Sequence, residues 1–222
     1  GTLSALSHLE RLRDNPEAAV GWAEVLVGLM GRNNAPDYSG LLAARNNLAL
    51  AYGRAGRYAE EQAELRRIIE VRRAGEGVAG SRELAGNLKN LASSLLGTGD
   101  LEAAREAVLE ARSLMQRHFP RGSPVTATAW FTLGQIELEG RDLEAAEAAF
   151  RETLAQLEPV LGDDHIQVHV TRCFLAETER LQGRQASARD LAIPALAGIE
   201  ASEVRYPGYE QACSETVDAL AP

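Results

Sequence analysis

The sequence predicts an all-α chain: a solenoid of about five helical hairpins followed by a C-terminal capping helix. Three observations carry that reading. The chain repeats itself with a period of about 42 residues. Apolar positions recur at i, i+3 and i+4 on either side of glycine-marked turns, the spacing of one face of a 3.6-residue helix. Ala, Leu, Glu and Arg, all good helix formers, dominate the composition, and β-branched runs are absent.

The repeat is read first, because a period of this length signals stacked supersecondary units. The string Asp100-Leu101-Glu102-Ala103-Ala104 returns as Asp142-Leu143-Glu144-Ala145-Ala146, and again as Gln185-Ala186-Ser187-Ala188. Upstream, Arg57-Tyr58-Ala59-Glu60-Glu61 and Pro16-Glu17-Ala18-Ala19 keep the same register. Ala19, Ala104, Ala146 and Ala188 are small anchors early in a helix, where two backbones must approach closely, and Glu61 breaks the series. The turns before them hold Gly56, Gly99, Gly140 and Gly183, residues able to take the left-handed conformation that ends a helix. Asp100 and Asp142 stand at N-cap positions.

Each unit is therefore helix A, a turn, helix B and a longer loop. Helices are predicted near 2–13, 16–31, 39–54, 58–74, 82–97, 101–118, 123–139, 143–159, 165–182 and 185–201. The repeats run over 2–31, 39–74, 82–118, 123–159 and 165–201 of a single solenoid spanning 1–222. A last helix at 207–220 follows Tyr206-Pro207-Gly208 and is expected to cover the final exposed face. No hairpin can bury its own apolar faces, so Leu65, Leu109, Phe150 and Leu191 are expected between hairpins.

Composition sets limits on function. A net charge of −9 repels phosphate backbones and argues against nucleic acid as a partner. Nearly all the positive charge is Arg, with Lys89 the only lysine, as in a chain from a GC-rich genome. No run approaches the length of a membrane span, and no signal peptide opens the chain. Gly1 in place of Met is the expectation for a piece of a longer protein. Cys173 and Cys213 form no disulfide framework and no metal spacing, and read as packed free cysteines of a reducing, cytoplasmic compartment.

Candidate chemistry is thin. His165 and His169 are four apart and could share a metal, but the preceding Asp163 or Asp164 reads as a helix cap with the histidines incidental. Ser4, Ser7 and His8 lie in no nucleophile-elbow motif, and Gly97-Thr98-Gly99-Asp100 lacks the ending of a phosphate loop. Trp22 and Trp130 could stack a ligand, though Trp130 matches a packing position. The reading is of no catalytic residue, no metal and no cofactor.

The string Asn46-Asn47-Leu48-Ala49-Leu50-Ala51-Tyr52-Gly53-Arg54-Ala55-Gly56-Arg57-Tyr58 resembles the 42-residue tetratricopeptide variant found in kinesin light chains and many bacterial proteins. Ala129-Trp130-Phe131-Thr132-Leu133-Gly134 is similar to the start of the standard repeat, and Leu161-Gly162-Asp163-Asp164-His165 to the loop that joins repeats. The chain departs from the pattern at Glu61, which implies a splayed or rotated hairpin, at Glu137 and Glu179 in apolar positions, at an early Gly140, and at Ile166 in place of Pro.

The resemblance implies a right-handed α-solenoid that binds a protein or peptide in a concave groove lined by A helices. It places Asn46, Asn47 and Leu50 there with Lys89, Asn90 and Ser93, then Phe131, Thr132 and Gln135, then Cys173, Phe174 and Glu177. Asn47 and Asn90 match the family's asparagine, whose amide can both donate to and accept from a peptide backbone. Two other readings stand beside the scaffold: a peptide-sensing segment of a larger bacterial regulator, and, more remotely, an enzyme on a helical frame.

Overall fold

The computed structural model describes residues 15–33, 39–75, 78–119, 123–203 and 207–221. Ten helices occupy them: α1 (Pro16–Asn33), α2 (Ser39–Arg54), α3 (Tyr58–Ala74), α4 (Val78–Gly97), α5 (Leu101–His118), α6 (Pro124–Glu139), α7 (Leu143–Leu161), α8 (Ile166–Leu181), α9 (Gln185–Ala201) and α10 (Pro207–Ala219). Among the described residues there is no strand. The boundaries follow the expected ones closely, except that α4 begins at Val78. The helix expected over 2–13, and with it Ser4, Ser7 and His8, lies outside the described residues. The chain forms two compact units, Gly1–Leu114 and Met115–Pro222.

The turns show how sequence sets helix ends. Gly56, Gly99 and Gly183 take φ of 72°, 79° and 83°. Gly140 does not. It stays helical at φ −72°, and the left-handed position falls on Arg141 at φ 65°. The early glycine is the reason: it is one residue short of the place where the chain must reverse. Asp100 and Asp142 cap as expected, accepting from Ala103 N at 3.3 Å and Ala145 N at 3.1 Å. The cap of α8 is His165, not Asp163 or Asp164; its Nδ1 accepts from Gln167 N at 3.2 Å.

In the first unit, α1 lies on α2, and α2 and α4 each lie on α3. Ala19, Val20, Ala23, Leu41, Leu48 and Tyr52 form one of its core clusters. Tyr52 Oη donates to Glu24 Oε1 at 2.7 Å, and burial together with that carboxylate pushes its pKa up to about 12.

The departure at Glu61 has a structural answer. Glu61 is only 7% exposed, and a Cβ built on Gly53 would meet its carboxylate at 2.6 Å. The small residue has moved to the facing helix, so the hairpin is closed and not splayed. The sequence expectation of a loosened contact is thereby corrected.

In the second unit, α7 packs on α6, α8 on α7, α9 on α8, and α10 on both α8 and α9. Ala146 and Ala188 are fully buried, as is Ala104 in α5. The exchange of large for small recurs here. Gly134 of α6 admits the ring of Phe150, and Gly198 of α9 admits the imidazole of His169. Phe150 is completely buried with Ala127, Ala146, Leu154, Val168 and Leu175. Burying one such side chain contributes about 1.5–3 kcal/mol.

Glu179, in a position where an apolar residue was expected, is 2% exposed and pairs with Arg151 at 3.0 Å and Arg184 at 3.6 Å. A carboxylate so deeply placed needs those partners.

Candidate functional site

The A helices of the first unit are α2 and α4. Their buried positions, Leu41, Leu48 and Ala51 on one and Leu84, Leu88 and Leu95 on the other, leave one stripe of each partly to solvent. All six residues expected in a groove lie on those stripes. Asn46, Asn47 and Leu50 are half-buried on α2; Lys89 and Asn90 are half-buried and Ser93 exposed on α4. Asn87 joins the two helices, its Nδ2 donating to Asn46 Oδ1 at 2.7 Å. Asn46 thus holds the neighbouring A helix, while Asn47 and Asn90 stand beside that bond.

Lys89 is the charged centre of this face. Burial pushes its ammonium below the ordinary lysine value, and among the described residues no carboxylate offsets it. Its carbonyl oxygen accepts from Ser93 Oγ at 3.2 Å, one turn along. Among the described residues this face therefore offers the Lys89 ammonium beside neutral amides and a hydroxyl.

The second unit treats the equivalent positions differently. Phe131 of α6 and Phe174 of α8 are half-buried and meet edge to face, ring centroids 5.2 Å apart. Tyr209 of α10 stands against both, at 6.2 and 6.0 Å. Thr216 Oγ1, also of α10, donates to Glu177 Oε2 at 3.4 Å. Thr132 is buried, its hydroxyl donating to the carbonyl of Thr128, and Gln135 is half-buried.

Cys173 is 4% exposed and joined to Cys213 by a disulfide, with Cα atoms 5.4 Å apart. This corrects the expectation of two free thiols, and cysteine usage no longer argues for a reducing compartment. It also means that Cys173 is not presented to a ligand. Of the expected groove residues on α8, Cys173, Phe174 and Glu177 all touch α10. The capping helix was expected to cover the last hairpin's outer face. It also covers this stripe.

The histidines do not converge. His165 caps α8, and His169 is buried against Gly198. Burial, then Arg172, holds the His169 imidazole below its ordinary pKa. Among the described residues no group of three or more His, Cys, Asp or Glu is placed to hold a metal ion. No described helix is long and apolar enough to cross a membrane. Trp22 is 39% exposed on α1 and Trp130 half-buried on α6.

Solved structures share this architecture at low identity. A kinesin light chain of nearly identical TPR-like repeats from Podosopora anserina superposes with a TM-score of 0.75 at 16% identity, covering 89% of this chain and 92% of that one. BtubC (BKLC) from P. vanneervenii superposes with a TM-score of 0.75 at 18% identity, covering 92% and 81%. The apo form of RapI gives a TM-score of 0.71 at 12% identity, covering 96% and 61%. No curated protein matches the sequence. Tetratricopeptide repeat profiles match residues 41–79, 83–158 and 125–200. With the repeat, the hairpins and those matches agreeing over most of its length, the chain belongs to the tetratricopeptide repeat family.

Proposed function

We propose that the chain is a scaffold that binds an extended peptide of a partner protein on the open stripes of α2 and α4, and that the peptide carries an acidic group. The tetratricopeptide fold supports a role in protein–protein interaction. The observation favouring this face is Lys89: a partly desolvated cation that no described carboxylate offsets gains most from an incoming one. Asn47 of α2 and Asn90, the next residue along α4, add half-buried amides that can each donate to and accept from a peptide backbone. A single cation among amides suits one acidic side chain or one chain terminus, not a run of charge.

The test selects binders from a random peptide library against the intact chain, then measures affinity and melting temperature for Lys89→Gln and Asn90→Ala. Selected peptides should share an acidic residue. Lys89→Gln should weaken binding and remove its salt dependence. Asn90→Ala should cost about 1–3 kcal/mol in binding, with the melting temperature unchanged. Lost stability with binding intact would refute the reading and make these residues structural.

A further inference from the structure

We propose that the Cys173–Cys213 disulfide is a redox latch: oxidised, it holds α10 over the stripe of α8; reduced, it releases α10 and uncovers Phe131, Phe174 and Glu177. This does not depend on what the face of the first unit binds.

The first argument is how central Cys213 is to the seating of α10, where it packs with Val170, Ala195 and Ile199. At 13 residues it is the shortest described helix, and helices of that length are marginal without packing. Only Cys213 and Thr216 are buried within it, and one of these is half of the disulfide. The other ties include the Tyr209 ring against Phe131 and Phe174, Thr216 on Glu177, Val217 and Leu220 beside Ala188 and Ala192, and Arg189 Nε donating to Leu220 O at 2.6 Å. The cross-link closes a loop across 40 residues, a length at which a disulfide strongly restricts the released ensemble.

The second argument is position. Cys173, Phe174 and Glu177 stand two repeat periods after Lys89, Asn90 and Ser93, the first two half-buried and the last exposed in the first unit. The latch thus seats α10 on the positions that correspond to the proposed binding stripe of the first unit.

The third is access. A cavity of about 300 Å³ is lined by both cysteines together with Glu177, Arg180, Thr216 and Ala219. It leads a small dithiol towards an otherwise shielded bond. The chemistry is thiol–disulfide exchange. A thiolate of a dithiol reductant attacks one sulfur, the S–S bond breaks, and the other cysteine leaves as thiolate. The second thiol of the reductant then displaces the first cysteine. Two electrons and two protons pass from the dithiol, which becomes a disulfide, to give two cysteine thiols.

The experiment uses the intact chain, oxidised with glutathione disulfide or reduced with dithiothreitol, and follows hydrogen exchange by mass spectrometry. Reduction should speed exchange in 207–219 by about a hundredfold while 185–201 is unchanged. The double variant Cys173→Ala/Cys213→Ala should match the reduced chain with or without reductant. Two free thiols after oxidation would overturn the proposal. So would unchanged exchange in α10 on reduction. Lost protection throughout α6–α9 would also overturn it, making the bond a staple of the whole unit.

Discussion

Gly134→Ala tests whether the exchange of large for small side chains between helices is real packing. A methyl at this position would lie 2.6 Å from Cε1, 2.7 Å from Cδ1 and 2.9 Å from Cζ of Phe150. That ring cannot retreat easily. It is completely buried, with Phe131 at 5.8 Å and Phe174 at 5.7 Å between centroids. Two effects oppose each other. Replacing glycine inside a helix gains about 1 kcal/mol of helix propensity. Overpacking a close-packed contact costs about 1–3 kcal/mol, and a pinned ring places the cost near the upper end. The net is a loss of about 1–2 kcal/mol, or a melting temperature lower by roughly 2–8 °C for a chain of this size. Gly28→Ala is the control: Gly28 is exposed on α1 and its added methyl would touch nothing within 4 Å. It should stabilise by about 0.5–1 kcal/mol. Thermal unfolding followed by far-ultraviolet circular dichroism reads both. If Gly134→Ala stabilised as much as Gly28→Ala, the ring would be free to move and the packing argument would fail.

Three further outcomes follow from the same contacts. Burial raises the Glu61 carboxyl above its ordinary pKa, so the native state favours the protonated form; that contribution is present at low pH and is lost as pH rises through the raised value. Glu61→Gln should therefore stabilise the chain at neutral pH and flatten its stability profile in the acid range, as measured by urea unfolding. His169 is the opposite case: its depressed pKa means that stability is full above the unfolded value of about 6.5 and falls as pH drops through the folded value. His169→Gln should remove that slope between neutral and mildly acid pH in the same assay. Arg141→Gly should raise stability by about 1 kcal/mol, since the left-handed backbone at φ 65° costs an L side chain about that much; an unchanged melting temperature would count against strain at this turn.

The period and the helix ends were legible because they depend on local rules: apolar spacing, glycine at turns, aspartate at caps. Ala104, Ala146 and Ala188 were legible for the same reason, and all three are fully buried. What escaped depends on pairs in different helices. Glu61 is out of pattern by itself, and only Gly53 on the facing helix makes room for it. Arg141 takes the strained turn because Gly140 is misplaced by one residue, a shift visible in the sequence whose consequence is a backbone angle and hence not visible. His165 displaced the acidic cap because Nδ1 of a neutral imidazole accepts a backbone N–H as a carboxylate does.

The disulfide did have a signal in the sequence, of a kind that spacing rules for metal sites and small secreted frameworks do not read. Successive A helices lie side by side, so residues about one period apart are brought together. Asn46 and Asn87, 41 apart, share a hydrogen bond. Phe131 and Phe174, one period apart, share a ring contact. Cys173 and Cys213, 40 apart, share a covalent bond. By that measure α10 stands to α8 as an A helix stands to the one before it. It touches the preceding A helix through Cys213 and Thr216, and the preceding B helix through Leu220.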